Sequence, residues 1–180
     1  SHPHSLKYNG ASRLLVSCNL TGICESHADS FESEAFARKW KHSHTAFWSN
    51  ASDRNSGGIF ICISKFFLSP CLLCFSVCIV PGRIPGVFCM FPMFNLFFVC
   101  IHNSPTWTMC ERHGFFKKLK DCIPDSLCAT TFVCGDTNFS HDTVRFSDLS
   151  IDASISTLHK TLSDMWDRYF SDFVKIAHDC

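Results

Sequence analysis

The chain has 180 residues, enough for one domain with a core of useful size. Apolar residues make up 46%, which excludes wholesale disorder, and charged residues only 18%, below the usual quarter. Sixteen basic side chains balance sixteen acidic ones, so no global positive field gathers nucleic acid, and any such binding must rest on a local patch.

Residues 1–22 are polar except for mildly apolar Leu14 to Val16, and they lack the basic-then-apolar order of a signal peptide. Phe31, Ala35 and Phe36 stand at i, i+4 and i+5, a spacing that predicts a short helix. Ala46 to Asn55 is rich in Ser, Asn and Asp and reads as a loop. Gly57-Gly58 then leads into Ile59 to Ile63, a β-branched run typical of a buried strand.

From Phe66 to Gly82 and from Ile84 to Cys110 there is no Asp, Glu, Lys or Arg. Two readings follow. Cys71 to Val80 and Val87 to Ile101 read as adjacent strands covered on both faces. Alternatively, segments of about 66–80 and 87–101 form a transmembrane hairpin. The unbroken apolar pieces are shorter than the ~20 residues of a spanning helix, and prolines interrupt both segments, so strands are the preferred reading. Glu111 to Cys122 sets Phe115, Phe116, Leu119 and Cys122 on one face of an amphipathic helix that Pro124 ends. On this reading Arg112, Lys117, Lys118 and Lys120 form its solvated side. Thr130 to Cys134 is a further short buried strand, and Gly135 to Asn138 is a polar turn. Ser154 to Phe173 is periodic through Ile155, Leu158, Leu162, Met165, Trp166 and Tyr169, and reads as a long helix. No internal repeat or linker is visible, so residues 1–180 are read as a single domain.

The thirteen cysteines have no repeated spacing, and several lie in apolar runs where a free thiol behaves as a small hydrophobe. They read as reduced and intracellular, and the sequons at Asn19, Asn50 and Asn138 as coincidence. Cys71, Cys74, Cys110 and His113 have the elements of a zinc quartet, but Cys71-Leu-Leu-Cys74 has no polar knuckle residues.

Catalytic side chains sit preferentially where strands of a rigid sheet end. Glu25, His102, and Asp136 with Asn138 each follow an apolar strand. A hard divalent cation takes one or two carboxylates, completed by water and substrate phosphate. Asp136 and Asn138, two apart, face the same way in an extended turn. Each also has a plain structural reading: Glu25 and His27 as a helix start, His102 as a satisfied core histidine, Asp136 and Asn138 as turn formers. Phe47 and Trp48 read as core before they read as base-stacking platforms.

In order along the chain stand C-E-S-H (24–27), W-S-N-A-S-D-R-N-S-G-G-I-F-I (48–61), P-G-R-I (81–84), V-C-I-H-N (99–103), E-R-x-x-F-F-x-x-L (111–119) and F-V-C-G-D-T-N (132–138). This series resembles the endonuclease/exonuclease/phosphatase superfamily, and within it the apurinic-type endonuclease domain of non-LTR retrotransposons. The resemblance spans residues 14–140. It implies an α/β fold, a two-sheet α/β sandwich of DNase I-like type, that nicks DNA with Mg2+ and works inside the nucleus. No stable protein partner and no membrane are implied. Glu25 would hold Mg2+, Asp136 would orient or deprotonate the attacking water, Asn138 would contact the scissile phosphate, and His102 would lie near the phosphate oxygens. Related phosphatases and RNA-end nucleases share this metal and phosphate chemistry. The family's opening Asn has only Asn9 or Asn19 as a stand-in. Its Arg-Ile-Asp strand and Ser-Asp-His segment have no counterpart, since His178-Asp179 is reversed and comes too early. The expectation is therefore a domain incomplete at its C-terminus, without robust nicking as this fragment. The Phe- and Cys-rich stretch 59–101 also fits a decayed transposon copy.

Overall fold

A helix that the polar opening does not announce begins the chain: α1 spans His4–Ser17. In the computed structural model, which describes residues 4–50, 57–139 and 153–173, it is followed by β1 (Leu20–Cys24), α2 (Ser30–Trp40), β2 (His44–Ser49) and β3 (Ile59–Ser64). The one-turn α3 (Lys65–Leu68) leads to β4 (Leu73–Val80), β5 (Ile84–Met90) and β6 (Asn95–His102). Then come α4 (Met109–Cys122), β7 (Thr130–Asp136) and α5 (Ala153–Tyr169).

The strands form two sheets, one ordered β1-β3-β2 and one ordered β4-β5-β6-β7. All pairings are antiparallel except β6 with β7, which run parallel with α4 as the crossover between them. Strand periodicity explains the layers. In β3, Ile59, Ile61 and Ile63 face the other sheet, where they meet Val87, Cys89, Leu96, Phe98 and Cys100. The intervening Phe60 and Cys62 face outward, under Ala11 and Leu15 of α1 and Phe36 of α2. β6 follows the same rule: Phe97, Val99 and Ile101 turn away from the sandwich toward Phe115, Phe116 and Leu119 of α4 and Leu162, Trp166 and Phe170 of α5. Both faces of both sheets are therefore covered over their central strands, which is why these strands read as unbroken apolar runs.

The helices are set by capping. Asp29 and Glu32 form a capping box at α2, and Thr108 and Glu111 form one at α4. α4 buries Arg112, Phe115, Phe116 and Leu119, one face at i, i+3, i+4 and i+7.

Several expectations change. Residues 44–49, read in part as loop, are strand β2, because β3 supplies a full set of pairing partners from Ser64 to Ile59. Residues 51–56 lie outside the described residues. The apolar stretch Val87 to Ile101 is two strands, broken at Phe91 to Phe94. β4 is an edge strand with Leu73, Phe75 and Val77 exposed, and β7 is half exposed, so neither is covered on both faces. The helical hairpin is overturned: both segments are built largely of sheet strands, and no helix among the described residues is long and apolar enough to cross a membrane. In α2 only Phe36 of the three apolar residues is buried, whereas Phe31 is 70% exposed. Arg112 is not on a solvated face but buried, while Lys117 is exposed and pairs with Asp121 at 2.7 Å.

Candidate functional site

Three strand ends converge. β1 ends at Cys24 and delivers Glu25. β6 ends at His102 and β7 at Asp136, and the parallel register sets these two residues directly side by side. The sheet-to-sheet packing brings β1 onto them, with Cys24 Sγ 3.2 Å from the carbonyl oxygen of Ile101. Residue 25, residue 102 and the pair 136 and 138, three places far apart in sequence, thus gather at one end of the sandwich.

His102 is the buried centre, 1% exposed. Arg83 Nη1 donates to its Nδ1 at 2.8 Å. A guanidinium only donates, so Nδ1 accepts, and the neutral ring carries its proton on Nε2. Nε2 lies 3.2 Å from Glu25 Oε1, a close electrostatic contact but too oblique for a hydrogen bond. Burial, and then the Arg83 charge, hold the His102 pKa below its ordinary value, while Glu25 and Asp136 pull it the other way.

Arg83 is itself held in place. Its guanidinium stacks over the Trp107 ring, 5.3 Å from the centroid. The loop carrying Trp107 is tied by buried Arg112, whose Nε donates to the Trp107 carbonyl at 3.1 Å and whose Nη2 donates to that of Pro105 at 2.8 Å. On the other side, the Gly57-Gly58 pair clamps the Glu25 loop to the Arg83 turn. Ser26 N–H donates to Gly58 O at 3.0 Å, His27 N–H to Gly57 O at 3.1 Å, and Gly58 N–H to Gly82 O at 3.1 Å. Both glycines have φ near +85°, and a Cβ on Gly58 would stand 2.5 Å from Ser26 Oγ. This accounts for the Gly-Gly step before β3.

Asp136 Oδ1 accepts the Asn138 backbone N–H at 2.8 Å, an Asx turn. Asn138 Nδ2 donates to the carbonyl of Asn103, and Asn103 Nδ2 returns a bond to Thr137 O at 2.6 Å. The Asn103 N–H donates to Asp136 O at 2.8 Å, so the two asparagines lock the ends of β6 and β7 together. One N–H of Asn138 is thereby committed to the backbone. Glu25, His27 and Asn138, with φ of 53°, 49° and 51°, are the non-glycine residues with left-handed backbone among those described. All three belong to this cluster. Such strain costs about 1–3 kcal/mol per residue and collects at functional sites.

Among the described residues no three His, Cys, Asp or Glu side chains are arranged to hold a metal, which applies to Cys71, Cys74, Cys110 and His113 as well. The donor set here fits a different kind of ion. Glu25 is a carboxylate 46% exposed at the rim, and Asp136 is an exposed carboxylate at the neighbouring strand end. A hard cation such as Mg2+, bound through one or two carboxylates and otherwise by water and phosphate, suits that set. The stand-in Asn19 does not belong to the site: it accepts from Ser64 Oγ at 2.7 Å at the opposite end of β1. The Asn9 side chain and residues 178–179 lie outside what the structure describes. Sequence reading gives no site role to Arg83, Trp107, Asn103 or Arg112: Arg83 and Asn103 stand only within the motifs, and Arg112 reads as a solvated cation. The Pro-Gly-Arg turn and the Asn after His102 were the available signals.

A pH experiment tests the buried histidine. Because the folded pKa of His102 is depressed, the unfolded chain gains a proton near pH 6.5 that the folded chain resists. The stability contribution is complete above that pH and is lost as pH falls through the window below it. In metal-free buffer, the wild-type unfolding free energy should fall between pH 7 and 5.5 more steeply than that of His102→Gln, by at most about 1.4 kcal/mol per pH unit. Equal slopes would remove the depressed histidine from the account.

Two sheets packed face to face, with helices on their outer sides, make this a DNase I-like fold, as the sequence resemblance implied. Solved structures share it. D. rerio TDP2 complexed with single-strand DNA product superposes with TM-score 0.50 at 19% identity, over 74% of this chain and 54% of that one. A humanized D. rerio TDP2 gives TM-score 0.53 at 19% identity, over 83% and 62%. A Caenorhabditis elegans TDP2 gives 0.51 at 16% identity, over 77% and 44%. The chain therefore spans about half the length of the solved chains it matches. No family model matches the sequence, and no curated protein matches it.

Proposed function

We propose that this chain is a Mg2+-dependent phosphodiester-hydrolysing domain acting on DNA, of the kind carried by a non-LTR retrotransposon and working in the nucleus. The observation that carries the reading is the meeting of Glu25, His102, Asp136 and Asn138 at one end of a DNase I-like sandwich. The concentration of left-handed backbone at the same place supports it. The single-strand DNA product on the D. rerio TDP2 structure supports DNA as the polymer bound. The retrotransposon assignment rests on the order of the six sequence motifs.

Mg2+, when bound, supplies a Lewis acid that offsets charge on the phosphate oxygens. Glu25 would hold it, with water and substrate phosphate completing its shell. His102 is too buried to reach a phosphate directly. It acts through Glu25, presenting Nε2 to the carboxylate while Arg83 fixes the tautomer. Asp136, exposed at the end of β7, orients and deprotonates the attacking water through the carboxylate oxygens it presents to solvent. Asn138 keeps one amide N–H for the phosphate after spending the other on Asn103.

The test is fluorescence anisotropy of a labelled single-stranded DNA oligonucleotide against the whole chain, in Mg2+ and in EDTA. Mg2+ is expected to tighten binding, and any nicking present should need Mg2+ and vanish in Asp136→Ala. Identical binding in the two buffers, or nicking that survives Asp136→Ala, would refute the assignment.

A further inference from the structure

Beneath the candidate site, the two sheets meet through sulfur. Cys24 at the end of β1 and Cys100 near the end of β6 belong to opposite sheets, and their Sγ atoms are 3.5 Å apart. Cys134 of β7 stands directly beside Cys100 in the parallel register. Gly22 makes the space for this group: a Cβ there would lie 2.7 Å from Cys100 Sγ and 2.9 Å from Cys134 Sγ. All twelve described cysteines carry free thiols. The three sulfurs are not arranged to hold a metal, as the absence of any such group among the described residues shows. Cys24 is partly exposed and immediately precedes Glu25, whereas Cys100 is fully buried.

We propose that Cys24 and Cys100 are a modification site: a dithiol that hydrogen peroxide converts to a disulfide joining the two sheets directly under Glu25, His102 and Asp136. The Cys24 sulfur, as thiolate, attacks one peroxide oxygen. The O–O bond breaks, and the departing hydroxide takes a proton to become water, leaving Cys24 as sulfenic acid. The Cys100 thiol gives up its proton and its sulfur attacks Cys24 Sγ. The S–S bond forms, the S–O bond breaks, and the hydroxide leaves as a second water. Two thiols are oxidised and one peroxide is reduced to two waters. The geometry favours this pair because the sulfurs already touch and closing the bond needs an approach of only about 1.5 Å. The cross-link closes a loop between sequence-distant strands, so it restricts the unfolded chain strongly. It also shifts the sulfur that contacts the Ile101 carbonyl, next to His102.

This inference does not depend on the nuclease reading, since its test uses no nucleic acid. The folded wild-type chain is treated with a modest excess of hydrogen peroxide, the remaining thiols are alkylated, and peptides are mapped without reduction. The expected product is a peptide pair linked through Cys24 and Cys100, reversed by dithiothreitol, with an upward Tm shift of about 5–10 °C. Cys24→Ser should show neither the linked pair nor that shift, while retaining any Cys74–Cys89 product. The second thiol pair, also at 3.5 Å, is the internal comparison. Recovery of Cys24 and Cys100 as free thiols while other cysteines oxidise would overturn the proposal. So would Cys24 ending as sulfinic acid with no link to Cys100.

Discussion

Gly135→Ala is expected to prevent folding. Gly135 has φ of +126°, where an L side chain is strained, and a Cβ there would stand 2.0 Å from the carbonyl oxygen of Ile101. That oxygen belongs to the paired backbone of β6, so it cannot move aside as the tip of a flexible side chain would. Separating β7 from β6 at this point would break the parallel pairing of Ile101 with Gly135 and of His102 with Asp136. The Asn103–Asn138 lock would go with it. A loss above about 4 kcal/mol follows from backbone overlap added to strain, close to the whole stability of an ordinary domain. Soluble yield and the urea midpoint measure it. Gly114→Ala is the control. It lies inside α4 with nothing within 4 Å of the added Cβ, and should stabilise by roughly 0.5–1 kcal/mol through helix propensity. A Gly135→Ala protein that unfolds at the wild-type urea concentration would show that the β6–β7 junction is not built as described.

Glu25→Gln carries the second large effect, and its sign depends on the metal. If Glu25 holds Mg2+ as proposed, loss of the carboxylate in the presence of Mg2+ should weaken DNA binding by at least about tenfold, or about 1.4 kcal/mol. In EDTA the sign reverses. An anion at the rim repels phosphate, and its removal should leave binding unchanged or slightly tighter. The fold should tolerate the change, because the side chain is 46% exposed and Gln keeps its shape. Glu25 also raises the His102 pKa, so Glu25→Gln should depress it further and extend the acid-sensitive window downward. Anisotropy titrations in the two buffers, with histidine titration followed by NMR, read both effects. Equal weakening in Mg2+ and in EDTA would mean that Glu25 acts by folding the site rather than by holding an ion.

The site was legible only in part. Glu25, His102, Asp136 and Asn138 could be named because each follows an apolar strand, and strand ends are where polar groups meet solvent. The residues that hold them were hidden. Arg112 reads as one more cation on a lysine-rich helix, yet its burial under the 105–107 loop places Trp107, and Trp107 places Arg83. Nothing local distinguishes a buried arginine from a solvated one, since its partners are backbone carbonyls that the loop supplies.

The sequence by itself determined those elements whose signal is local. The unbroken β-branched run Ile59 to Ile63 marks β3 as a buried strand, the 3.6-residue spacing of Phe115, Phe116 and Leu119 marks α4, and Pro81-Gly82 marks the turn. Tertiary structure decided what depends on a partner. β2 is a strand because β3 lies beside it, and β4 is exposed because it is the edge of its sheet. The parallel pairing of β6 with β7 and the meeting of β1 with both join residues 25, 102 and 136, and no window of sequence contains that contact. The physical reason is range. Side-chain period and capping act within one or two turns of chain, whereas burial and strand pairing are properties of surfaces that meet only after folding.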